Sequence, residues 1–164
     1  MKKENKSTLY LIFFVYCLFL IMVLFLRSGR EVNVSPEAIR ERFDTYVNLT
    51  PFGTIDNYVK ALRNGNLSRT VFLWNIVGNL VLFVPMGMFL PHLKKRLSGC
   101  IRCLGNILLI IVLIEALQLI LGVGSLDIDD VILNFTGSVV GYVIYLIFRP
   151  RKRRKRKSKK QKTP

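Results

Sequence analysis

Hydrophobic residues in this chain are not scattered. They fall into four long runs, and polar residues fill the gaps between them. The first run, Thr8 to Leu26, contains no charge. The second is Val71 to Leu90, the third Leu104 to Leu121, and the fourth Ile128 to Phe148. A helix rises about 1.5 Å per residue and the hydrocarbon core is about 30 Å thick, so about 20 residues suffice to cross it. Each run therefore predicts a membrane-spanning helix. The expected fold is all-α: a polytopic membrane protein built as a four-helix transmembrane bundle.

The first run is too long for the apolar region of a cleaved signal peptide, and its exit, Leu24-Phe25-Leu26-Arg27, offers no small-residue cleavage site. It reads as a retained signal anchor. The segment between runs one and two carries its own signals. Ser35-Pro36-Glu37 is a helix start, with Ser as N-cap and Pro in the first turn. A short helix should follow to about Tyr46. Beyond the turn at Asn48–Ile55, apolar Ile55, Val59 and Leu62 recur at helical spacing, as in an amphipathic segment lying on a membrane surface.

Charge adds orientation. The net charge is +15, and 11 of the 25 Lys and Arg lie between Arg149 and Lys162. Lys2, Lys3 and Lys6 precede the first run, and Lys94, Lys95, Arg96 and Arg102 fill the short loop between runs two and three. Basic loops stay in the cytoplasm. Four spans put all three basic segments on one side, so both ends are expected in the cytoplasm of a bacterial cell membrane. The domain reading is residues 1–148 for the four-span unit (spans at about 8–26, 71–90, 104–121 and 128–148). Residues 149–164 are expected to form a basic, disordered cytoplasmic tail. Directly after a span, that tail suits anionic lipid headgroups better than nucleic acid.

The three cysteines form no framework. Cys17 sits in an apolar run, and Cys100-x-x-Cys103 lacks the second ligand pair that a structural zinc site needs. His92 lies far from the acidic residues and reads as an interface residue.

Polar residues inside the runs matter most, because a charge at mid-membrane costs about 2.5–3.5 kcal/mol on insertion scales. Asn75 and Asn79 share a face of run two, and Glu115 and Gln118 share a face of run three. Run four begins with Asp127, Asp129 and Asp130, followed by Asn134. With the expected orientation, all lie in the outer half of the bilayer. They predict a polar pocket there, made of Asn75, Asn79, Glu115, Gln118, Asp129, Asp130 and Asn134. The competing reading gives the amides to interhelical hydrogen bonds and makes Asp127 and Asp130 a reciprocal helix cap. Gly137-x-x-x-Gly141 fits close helix packing, and Pro85 with Gly87 should kink or loosen run two. Which of Asp129 and Asp130 faces inward stays open, since neighbouring helical residues point about 100° apart.

The stretch from about Asn48 to Tyr142 resembles the VanZ-like family of bacterial membrane proteins. Four pieces carry the resemblance. They are Asn48-x-x-Pro51-Phe52-x-Thr54-Ile55, Asn75-x-x-Gly78-Asn79-x-x-x-Phe83-x-Pro85-x-Gly87-x-x-x-Pro91, Glu115-x-x-Gln118, and Asp127-x-Asp129-Asp130-x-x-x-Asn134-x-x-Gly137-x-x-x-Gly141-Tyr142. Their order and spacing are more specific than any one of them. Members often carry an Arg shortly before the acidic cluster. Here that stretch is Gly122-Val-Gly-Ser125-Leu126, so Arg27, Arg63 or Arg69 would have to balance the acids, or a metal would. The resemblance implies a link to glycopeptide resistance, chiefly to teicoplanin.

Three functions fit. The first is a non-enzymatic protein that binds an envelope amphiphile, such as a lipid-linked cell-wall precursor or a lipoglycopeptide, in the outer-leaflet pocket. In it, Arg63 and Arg69 would meet phosphate or carboxylate groups of the ligand. The second is an intramembrane enzyme acting on a lipid phosphate. Glu115, Asp127, Asp129 and Asp130 would then hold a divalent metal, the one cofactor class these oxygen donors suit. The third is a proton-coupled carrier with Glu115 as relay, for which four spans call for an oligomer. Expected partners are membrane lipids and such an amphiphile, not nucleic acid.

Overall fold

A computed structural model describes residues 6–26 and 32–149. Arg27, the N-terminal lysines Lys2 and Lys3, and the basic tail beyond Arg149 lie outside the described residues.

Four helices are long and apolar enough to cross a membrane: Lys6–Leu26, Arg69–Leu93, Cys100–Leu121 and Ile128–Phe148. The protein is an all-α polytopic membrane protein. Span one is helix α1 (Lys6–Ile21), ending in a wider π turn at Met22–Leu26. Span two is two helices, α4 (Arg69–Leu82) and α5 (Val84–Leu93), broken at Phe83. The break has a local cause. Pro85 has no N–H, so the Val81 carbonyl loses its α-helical donor; the Phe83 N–H serves it instead. Span three is α6 (Cys100–Leu121) and span four is α7 (Ile128–Phe148).

Spans two and three begin earlier than hydropathy indicates. Ser68 caps α4 by accepting the Val71 N–H at 3.2 Å, so the helix starts at Arg69. The turn Cys100–Cys103 is already helical in α6, with Cys103 buried and Cys100 exposed. Polar first turns are tolerated where a helix meets the headgroups.

Two further helices lie between spans one and two. Helix α2 (Pro36–Thr45) starts as expected, with the Ser35 hydroxyl accepting the Ala38 N–H at 3.3 Å. Helix α3 (Gly53–Arg63) follows a turn in which Phe52 takes a left-handed conformation (φ 63°). Between α2 and α3 runs the two-residue strand β1 (Val47–Asn48). It pairs in parallel with β2 (Leu126–Asp127), which leads directly into α7.

Helix α7 is the centre of the bundle and packs on α4, α5 and α6. Its contact with span two is backbone on backbone. A Cβ on Gly137 would land on the Leu80 carbonyl oxygen, and one on Gly141 would land on that of Val84. One on Gly87 would land on that of Ser138. Lipid tails are as apolar as leucine, so apolar burial gives membrane helices little reason to associate. Close van der Waals contact between small residues supplies that reason here. Below the glycines, Phe83, Met86, Leu90, Ile107, Ile111 and Tyr142 form one buried cluster. His92 packs edge-on against Tyr145, ring centroids 4.8 Å apart, at the end of the bundle that carries the basic loop.

Helix α1 is peripheral; of its residues only Leu20 is buried. Among the described residues, three hydrogen bonds tie span one to the rest. Tyr10 donates to the Leu93 carbonyl at 3.4 Å and Tyr16 to the Leu82 carbonyl at 2.9 Å, and the Leu24 carbonyl accepts from Gln118 at 2.9 Å.

Candidate functional site

The polar residues of spans two, three and four do gather at one end of the bundle, the end that carries α2, α3 and the β1–β2 pair. They divide into three separate arrangements.

The first is a clasp. Asp129 is 1% exposed and both its oxygens are occupied. Oδ1 accepts the Phe52 N–H at 2.5 Å; Oδ2 accepts the Thr54 and Ile55 N–H groups at 2.9 and 3.0 Å. These are unsatisfied amides at the start of α3, where a helix presents free donors and a positive dipole end. Asp129 is thus an internal anion bound to a helix N-terminus. Asp127 supports it: one oxygen accepts the Asp129 N–H at 2.9 Å, the other the Thr54 hydroxyl at 2.5 Å. Thr54 in turn accepts from the Asn48 side-chain amide at 2.8 Å. Asp127 is a helix cap, as expected, but its partner is the Asp129 N–H rather than a reciprocal bond with Asp130. Asp130 points elsewhere.

The second arrangement is a buried amide–acid pair. Glu115 is 3% exposed and accepts from the Asn134 Nδ2 at 3.4 Å, while the Asn134 Oδ1 is buried with no donor.

The third is a cleft of about 1030 Å³ between span one and α4. Its walls are apolar, with Phe19 and Val23 on one side and Leu73, Trp74, Val77 and Val81 on the other. Its polar patch is Asn75, Asn79, Gln118 and Asp130. Asp130 accepts a short hydrogen bond from the Asn79 side-chain amide. Of the seven residues expected to form one pocket, these four line the cleft. Glu115, Asn134 and Asp129 do not.

Arg63 and Arg69 form no ion pair with the acids. Among the described residues the only salt bridge is Lys60–Asp56, on the exposed face of α3. Nor, among the described residues, do three or more His, Cys, Asp or Glu side chains gather closely enough to hold a metal.

Two residues that sequence reasoning did not single out matter here. The Arg42 Nη1 on α2 donates to the Ile120 carbonyl at 2.7 Å and packs over Gly122, whose φ of 76° ends α6. A cation at a helix C-terminus is stabilising. Only the left-handed glycine hinted at this site. Tyr58, on α3, is half-buried near the acids; burial first, then the charges of Asp130 and Asp127, push its phenol above the usual value of 10.

Known proteins give a consistent picture. The family model described as VanZ/LLP1 matches residues 13–149. Protein VanZ of Enterococcus faecium is 27% identical over 99 residues, which cover 60% of this chain and 52% of that protein. The chain therefore spans about half the length of this curated relative. No solved structure matches.

Proposed function

The chain belongs to the VanZ/LLP1 family, and from that premise we propose that it is a non-enzymatic membrane protein that binds an envelope amphiphile in the cleft between span one and α4. The observation that carries this reading is the cleft's composition. Its apolar walls continue into a compact polar patch of Asn75, Asn79, Gln118 and Asp130. A ligand with a greasy tail and a polar head matches both parts. The distribution of basic loops supports placing this end of the bundle at the outer face, with both termini cytoplasmic. At that depth, lipid-linked cell-wall precursors and lipoglycopeptides present polar heads on apolar tails. Family membership supports a link to glycopeptide susceptibility.

The test is a host expressing the wild-type chain or Asp130→Asn at equal membrane level, assayed for teicoplanin susceptibility. A changed susceptibility in the variant supports the reading. Unchanged susceptibility, together with undiminished capture of teicoplanin by the variant, would remove the cleft from the function.

A further inference from the structure

The cleft has a direction and a chemical preference, and both follow from how its lining is used. Phe19 (51% exposed), Trp74 (64%), Val77 (46%) and Val81 (55%) line the cavity and are also open to the surroundings of the bundle. These residues sit on the flank of the spans, where the surroundings are lipid. Span one is held to α5 by the Phe13–Phe89 ring contact, to the break in span two by Tyr16, and to α6 by Gln118. It stands away from α4 between those ties. The opening therefore faces sideways, into the bilayer.

The polar patch sets one carboxylate, Asp130, among neutral side chains. One N–H of the Asn75 amide is given to the Val71 carbonyl at 2.9 Å, one of Gln118 to the Leu24 carbonyl at 2.9 Å, and one of Asn79 to Asp130. Each amide keeps a second N–H and its oxygen for a ligand, so what distinguishes the patch is its charge, carried by the Asp130 carboxylate, one oxygen of which accepts from Asn79. Among the described residues no Lys or Arg lines the cleft, and the Arg42 guanidinium is bonded to the Ile120 carbonyl. An anionic head would meet the Asp130 carboxylate with no described cation lining the cleft beside it, a like-charge repulsion that is unfavourable away from water. An ammonium head would supply the opposite charge and donate to the Asp130 oxygen that Asn79 leaves free.

We propose that the cleft takes its ligand laterally from the bilayer, between span one and α4, and selects an amphiphile with a cationic amine head over one with an anionic head. This rests on the reading of the cleft as an amphiphile site and narrows it, disfavouring phosphate-linked wall precursors as occupants.

The chain contains a single tryptophan, Trp74, and it lines the cleft, so its fluorescence reports occupancy. The experiment uses the full chain in neutral phosphatidylcholine nanodiscs. Two quenchers share one brominated twelve-carbon chain; one has a primary amine head, the other a phosphate head. Their concentrations are expressed as mole fraction in the bilayer. The amine should quench Trp74 at about tenfold lower mole fraction than the phosphate, and Asp130→Asn should abolish the difference. Gly78 lines the cleft and has room for a side chain, its nearest neighbour being Trp74 at 4.0 Å. Gly78→Leu should therefore weaken quenching by the amine without loss of protein. Equal quenching by both heads, still sensitive to Gly78→Leu, would overturn the head selection and leave the amphiphile site standing. Quenching by both heads that ignores Gly78→Leu would overturn the amphiphile site itself.

Discussion

Asp129 and Asp130 are adjacent in sequence and opposite in use. Asp129 is enclosed, and three backbone N–H groups from a segment some 75 residues away engage both its oxygens. Asp130, about 100° further round the helix, lines a cleft and has one donor, the Asn79 amide. A carboxylate whose lone pairs are filled by the protein holds the protein together. One left with spare acceptor capacity beside a cavity is available to a ligand. The number and origin of its donors separate the two roles better than burial or charge does.

The largest test of that contrast is Asp129→Ala. It leaves three amides at the start of α3 without their acceptor. A hydrogen bond to a charged group contributes about 1.5–3 kcal/mol, so the loss should reach roughly 3 kcal/mol or more. The chain should melt well below wild type in detergent or fail to accumulate in the membrane. Thr54→Ala removes the link between Asn48 and Asp127 and should cost about 1–2 kcal/mol by thermal melting. A melting point equal to wild type in either variant would mean the clasp contributes nothing. Asp130→Asn stands on the other side of the comparison. It keeps size and a hydrogen-bonding side chain, so melting should change by less than about 1 kcal/mol while amine selectivity disappears.

Much of this was legible in the sequence, for identifiable reasons. Spans are set by the length of apolar runs, a local property, and the helix start at Ser35-Pro36 is local too. The packing roles of Gly137 and Gly141 follow from small-residue spacing, and Pro85 marks the break in span two. The clasp was not legible, although both of its halves carried family motifs. Joining Thr54 to Asp127 needs the β1–β2 pairing, which two-residue strands do not announce. Arg42 looked like an ordinary surface charge, because the Ile120 carbonyl it serves is freed only when α6 ends at Gly122. The expected single pocket became three arrangements because helical phase, not depth alone, decides which neighbours a polar residue meets.

Two smaller effects are expected around the same acids. Glu115→Gln replaces a carboxylate by an amide that can donate to the unpartnered Asn134 Oδ1. Melting should stay equal to wild type or rise by about 1 kcal/mol; a marked drop would show that the acid itself is needed. Tyr58 reports on the charge of the acidic end. Its phenol lies above 10 in the folded chain. Its contribution to stability is therefore complete below pH 10 and is lost as the pH rises through the folded value. Asp130→Asn should bring the Tyr58 titration, followed by ¹³C NMR of labelled tyrosine, part of the way back toward 10.

The most direct measurement sets Asp129→Asn beside Asp130→Asn in the same nanodiscs, reading thermal melting and Trp74 quenching by the amine-headed amphiphile on each. Division of labour between the two acids requires Asp129→Asn to lower the melting temperature, and Asp130→Asn to keep it while losing the preference for the amine. Equal melting in the two variants, or amine selectivity that survives Asp130→Asn, would contradict it.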